Sequence, residues 1–109
     1  MDPTACVRLG KTKLQVTRFG RGGAPIGGLA GEQADETARA IVQRAYELGI
    51  RTFDTAPLYG RGASERRVGA ALQTLPRDTF VLSTEAPVDR MHTTRTARLR
   101  SCCAPRQEV

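Results

Sequence analysis

The stretch Gly49-Ile50-Arg51-Thr52-Phe53-Asp54-Thr55-Ala56-Pro57-Leu58-Tyr59-Gly60 decides the fold. Gly49 stands where a left-handed residue stops a helix, and Ile50 to Phe53 form a short β-prone run ending near Asp54. Upstream, Asp35 is placed to cap a helix whose apolar residues, Ala38, Ile41, Val42, Ala45 and Leu48, recur at helical spacing. Downstream, after a loop from Ala56 to Ala63, Ser64 is placed to cap a second helix carrying Val68, Ala71 and Leu72. Thr74-Leu75-Pro76-Arg77-Asp78 breaks that helix, and Thr79-Phe80-Val81-Leu82-Ser83 reads as the next strand.

Further upstream, Val7 and Leu9, then Gly10-Lys11-Thr12-Lys13, then Leu14, Val16 and Phe19 predict a small β-hairpin. Between hairpin and first helix runs Gly20-Arg21-Gly22-Gly23-Ala24-Pro25-Ile26-Gly27-Gly28-Leu29, whose backbone can approach another backbone or a ligand closely. It is not a dinucleotide fingerprint, because the third glycine of G-x-G-x-x-G would fall on Pro25 and no helix start follows at once. The whole reads as a hairpin followed by β-α-β-α-β, the pattern of right-handed crossovers on a parallel sheet.

Length sets the next bound. A closed (β/α)₈ barrel needs roughly 200 residues or more, and this chain has 109. No run approaches a membrane span of about 18 apolar residues, and Met1 to Leu14 lack the apolar segment of a secretory signal. A cytoplasmic chain is the expectation. Net charge is +6, but the 17 basic residues, 15 of them arginine, are spread along the chain. Aromatic stacking platforms are few, so nucleic acid is not the expected partner.

Past Glu85 the pattern stops. From Ala86 to Val109 the large aliphatics are only Val88, Met91, Leu99 and Val109, and Thr93 to Arg100 is polar and basic. The expectation is a folded part over 1–85 and an irregular or disordered basic tail over 86–109, with too little apolar surface to offset the entropy of ordering it. His92 lies in that tail without neighbours at ligand spacing, and Cys102 and Cys103 are adjacent with Cys6 remote, so no metal site is expected and the cysteines read as free thiols or as open to adventitious oxidation.

In a parallel α/β architecture ligands bind at the carboxyl ends of the strands, which singles out Asp54 and Tyr59. A tyrosine of ordinary pKa about 10 can donate a proton to a developing alkoxide if a cation assists, and a carboxylate can hold that cation. Each alone has a plainer reading, a solvated strand-end carboxylate and a wet loop aromatic. Glu65, near a helix start, reads as a residue complementing the helix dipole.

The block from Gly49 to Gly60, with Gly62, Ser64-Glu65 and Val68-Gly69 after it and Arg8 to Thr12 and Gly22 to Gly28 before it, resembles the aldo-keto reductase family over about residues 7 to 84. The wording of 55–60 and 64–69 is most similar to its sugar and pyridoxal dehydrogenases. The resemblance implies the N-terminal part of a (β/α)₈ TIM barrel and hydride transfer between NAD or NADP and a small-molecule carbonyl or sugar. It implies Asp54 and Tyr59 as catalytic residues, and Gly22, Gly23, Ala24 and Asp54 against the cofactor. The family's lysine position is held by Glu85, and its histidine has no counterpart. A second carboxylate beside Asp54 opposes formation of the phenolate. The implied entity is thus a fragment inactive alone, with a reading-frame change after Thr84 as the expected origin of the tail. Its open sheet edge is a candidate for self-association, and the Arg95 to Arg100 run for weak polyanion binding.

Overall fold

The computed structural model describes residues 1–84. Glu85 and the tail expected over 86–109, with His92, Cys102 and Cys103, lie outside the described residues. Two strands, β1 (Cys6–Arg8) and β2 (Gln15–Thr17), form the antiparallel hairpin, with Val7 opposite Val16 and Gly10 at φ 57° in the connection. Strand β3 (Arg21–Gly22) and helix α1 (Ala24–Gly27) follow, then α2 (Ala34–Glu47), β4 (Thr52–Thr55), a 3₁₀ turn (Tyr59–Gly62), α3 (Ala63–Leu72), a 3₁₀ turn (Arg77–Thr79) and β5 (Val81–Thr84). The sheet order is β3-β4-β5, parallel throughout. It is an open α/β sheet without barrel closure among the described residues.

The core lies between the sheet and the helices. Phe53 on β4 is 1% exposed and meets Phe80 edge-on at 6.5 Å between ring centroids. Around them pack Ile26 from α1, Ala38, Val42 and Ala45 from α2, and Val68, Ala71 and Leu72 from α3. The 3.6-residue spacing read from both helices is thus what puts these apolar faces on the sheet, except for Leu48, which caps the end of α2 and is exposed. Pairing in register places Thr52, Asp54 and Ser83 on the sheet face opposite the helices, since side chains alternate along a strand.

The hairpin covers the amino end of the sheet. The Thr17 N–H donates to Thr52 Oγ1 at 2.9 Å, and the Thr17 hydroxyl accepts the Arg51 N–H at 3.2 Å and donates to the Phe19 carbonyl at 2.7 Å. At the start of β4 the Arg51 guanidinium lies 3.6 Å from the Tyr46 ring centroid, and the Tyr46 hydroxyl donates to Thr79 Oγ1 at 2.8 Å, joining α2 to the approach to β5.

Several local expectations are corrected. Helix α2 begins at Ala34 with Gln33 as N-cap, so Asp35 sits inside the first turn. There its carboxylate faces both the helix dipole and two arginines of α3: Arg66 at 2.9 Å and Arg67 Nε at 2.8 Å. Helix α3 begins at Ala63 on Gly62 at φ 96°, and Ser64 does not cap it, because its hydroxyl is committed to buried tertiary bonds. Helix α1 does start within the glycine-rich stretch, with Pro25 in the first turn where its missing N–H costs nothing. Strand β4 runs to Thr55, so Asp54 lies within the ladder rather than past it. Gly49, at φ 99°, does end α2 as expected.

One close approach fixes the loop after β4. A Cβ on Gly27 would lie 2.7 Å from the Tyr59 carbonyl carbon and 2.8 Å from the Gly60 nitrogen, so α1 rests directly on the Tyr59–Gly60 peptide. Gly60, at φ 62°, meets Gly27 from the other side.

Two outcomes are expected. Gly27→Ala costs about 1–3 kcal/mol, because rigid backbone has to shift, whereas Gly22→Ala, with nothing within 4 Å of the added carbon, stays within about 0.5 kcal/mol; urea unfolding of both variants measures the difference. Hydrogen bonds from Arg66 and then Arg67 hold the Asp35 carboxyl down to about 2. The unfolded chain takes up that proton near pH 4, so the stabilisation is present above about pH 4 and lost as pH falls through about 2. Thermal melts across this window are expected to fall less steeply for Asp35→Asn than for the parent, and parallel curves would contradict the assignment.

Candidate functional site

The carboxyl end of the sheet, opposite the hairpin, gathers the residues singled out by sequence. Gly22 on β3 pairs with Asp54 on β4, which pairs with Ser83 on β5. The three form a row across the sheet. Asp54 is exposed and Gly22 opens to solvent beside it. Tyr59, half-buried, begins the turn that follows β4, and its N–H donates to the Ala56 carbonyl at 3.2 Å. That turn is tight: Gly60, Arg61 and Gly62 all take positive φ, at 62°, 55° and 96°. For Arg61 this is an unfavourable region, held by the fixed ends of the turn.

Beneath this surface lies a buried hydroxyl relay. Ser64, fully buried, donates to the Gly23 carbonyl at 2.8 Å, so the Thr55 hydroxyl, 2.6 Å away, is the donor to Ser64. Three parts of the chain meet there, the junction of β3 and α1 at Gly23, β4 and α3. A Cβ on Gly23 would sit 2.6 Å from Ser64 Oγ and 2.7 Å from the Asp54 carbonyl oxygen, which explains the glycine. Gly23 is buried packing, while Gly22 and Ala24 on either side are exposed. Glu65, in the first turn of α3 as expected, also accepts the Thr84 hydroxyl at 2.6 Å, which ties the end of β5 to the helix layer.

Sequence reading missed Ser83, Ser64 and Arg67. Ser83 is recognisable only from strand register. Ser64 carried a signal in its spacing to Glu65 but was read as a cap. Arg67 gave no signal, because an arginine in a charged helix reads as solvated.

No lysine stands at this end of the sheet among the described residues: the chain's two lysines, Lys11 and Lys13, lie in the exposed hairpin connection. No group of side chains capable of holding a metal ion occurs among the described residues. A groove of about 330 Å³ lies elsewhere, between α2 and α3, lined by Asp35, Glu36, Arg39, Arg66, Arg67 and Ala70. Its charges are largely cross-paired through Asp35. Among the described residues three strands give the Asp54 end only one wall, whereas a closed barrel surrounds such a site. Among the described residues no helix is long and apolar enough to cross a membrane.

Comparison with known proteins agrees with this geometry. Residues 18–104 match the model of the aldo/keto reductase family, a span running beyond the motifs read from the sequence. The D-threo-aldose 1-dehydrogenase of a Pseudomonas species is 49% identical over 73 residues, covering 67% of this chain and 22% of that protein. The L-galactose dehydrogenase of Arabidopsis thaliana is 40% identical over 79 residues, 71% of this chain and 25% of its own length. The pyridoxal 4-dehydrogenase of Microbacterium luteolum is 42% identical over 77 residues, 71% of this chain and 22% of its own length. The structure of a glycerol dehydrogenase from Gluconobacter oxydans superposes with a TM-score of 0.62 at 33% identity, over 76% of this chain and 25% of that one. The chain therefore spans about a quarter of the length of the relatives it matches. Its parallel sheet with outer helices is the opening portion of a (β/α)₈ barrel, and by the match of 18–104 the chain belongs to the aldo/keto reductase family.

Proposed function

We propose that this chain carries the aspartate–tyrosine part of an NAD(P)-linked oxidoreductase site acting on a small carbonyl compound or sugar, and that it does not turn over substrate alone. The observation that carries this reading is the placement of Asp54 in the central strand and Tyr59 in the turn after it, at the same open end of the sheet. The names of the similar proteins, dehydrogenases of an aldose, of galactose and of pyridoxal, support the substrate class.

A bound nicotinamide dinucleotide supplies or accepts the hydride. The open space above Gly22, beside exposed Asp54, suits a flat ring lying against backbone, and Gly22, Ala24 and Asp54 are the residues that would line it. Gly23 contributes from below, by letting β3 close on Ser64. The Tyr59 hydroxyl would give a proton to the carbonyl oxygen in reduction or take one from the alcohol in oxidation. That step needs a cation to stabilise the phenolate, with Asp54 to hold it. By the family resemblance the lysine position falls on Glu85 in this chain. Members of a cooperative site act together, so replacing that cation by a carboxylate removes most of the rate enhancement.

The purified chain, assayed with NAD or NADP and a panel of aldoses and aldehydes in both directions, is expected to show no turnover above background. Turnover that disappears in Tyr59→Phe would overturn the prediction of inactivity. Both outer strands of the sheet, β3 and β5, pair on one side only among the described residues, and unpaired edges recruit other strands. A second reading is therefore association of copies through an edge. Sedimentation should show mass rising with concentration, and a monomer at every concentration would contradict it.

A further inference from the structure

We infer that Arg67 is a positioning residue for Tyr59, acting through α1. Its side chain is 9% exposed, although it belongs to the most water-seeking class of residues. Nε donates to Asp35 Oδ1 at 2.8 Å, and NH1 donates to the Ile26 carbonyl at 2.7 Å and the Leu29 carbonyl at 3.1 Å. One guanidinium on α3 therefore holds α2 through its first turn and α1 through the carbonyls at its carboxyl end.

The link to Tyr59 is short. The carbonyl that Arg67 grips belongs to Ile26, the residue directly before Gly27, and Gly27 is the residue on which the Tyr59–Gly60 peptide rests. Helix α1 has four residues, too few to keep its own position by helical cooperativity. It is located by what touches it: the Ile26 side chain in the core, Arg67 on its carbonyls and the Tyr59 turn on Gly27. Releasing the carbonyl grip lets α1 tilt about Ile26, and the peptide stacked on Gly27 moves with it. The planar fork is what allows one side chain to serve Asp35 and two carbonyls at once, a geometry that a lysine point charge cannot reproduce. Asp35 orients the fork and is itself held by Arg66 at 2.9 Å.

The inference rests on the proposed role of Tyr59 only for its catalytic consequence, and its test does not depend on activity. The whole chain, carrying tyrosine labelled in the ring, gives two ring signals, from Tyr46 and Tyr59, assigned with Tyr46→Phe. In Arg67→Lys the Tyr59 ring signal is expected to shift, and the Arg61 amide, bonded to the Leu58 carbonyl, to exchange at least about tenfold faster, while the Tyr46 signal and the β4 amides stay as in the parent. Asp35→Asn, which spares the two carbonyl bonds, keeps the chain folded if Arg67→Lys does not, and is expected to produce a smaller change at the same positions. An unmoved Tyr59 in either folded variant would overturn the inference. So would equal changes at Tyr46 and Tyr59, the mark of a general loosening.

Discussion

Strand β4 is hydrogen-bonded on both sides, to β3 and to β5, and the candidate site residues are located from it. Its four residues divide their duties by alternation. Phe53 and Thr55 point into the helix layer, where one fills the core and the other starts the hydroxyl relay to Ser64 and Gly23. Thr52 and Asp54 lie on the opposite face, where the first anchors the hairpin and the second stands at the open end. A one-residue slip of register would exchange these faces, putting Asp54 in the core and Phe53 in water. Burial of Phe53 alone therefore specifies where the carboxylate goes.

The polar groups that lock this arrangement are placed where the chain has least apolar surface to use. The glycine-rich segment from Gly20 to Gly28 carries few side chains that can pack, and it is held by hydrogen bonds from outside: Ser64 on the Gly23 carbonyl and Arg67 on the Ile26 carbonyl. Both donors come from α3 and both are buried or nearly so. Helix α3 thus grips the glycine-rich edge of the sheet, while its apolar residues Val68, Ala71 and Leu72 hold the sheet.

Much of this was legible in the sequence, for physical reasons that differ by element. The long helix α2 announced itself by period and by Gly49, whose left-handed φ only a glycine adopts freely. The central strand was legible from its β-prone residues, though its end was set one residue short because Asp54 has poor strand propensity and is retained by pairing on both sides. Asp54 and Tyr59 stand out in the sequence by their position near the end of that strand and by the aldo-keto reductase resemblance of 49–60 and Ser64-Glu65. Caps were not legible: Asp35 and Ser64 have good capping chemistry, but each found a partner distant in sequence, 32 residues away at Arg67 and 41 at Gly23. Local propensity cannot anticipate such competition. Helix α1 was hidden by the glycines, whose role is close approach to the Tyr59 turn and not flexibility.

Length and site are connected through the same geometry. Three strands build one wall and the row Gly22, Asp54 and Ser83, but a barrel site is closed by strands on the far side. The central claim is that β4 is the most strongly held segment among the described residues and keeps Asp54 in place. Native-state hydrogen exchange of the purified chain tests this most directly. The β4 amides are expected to be among the slowest to exchange, opening only with global unfolding, while the hairpin connection exchanges fast; β4 amides exchanging as rapidly as that connection would contradict the account.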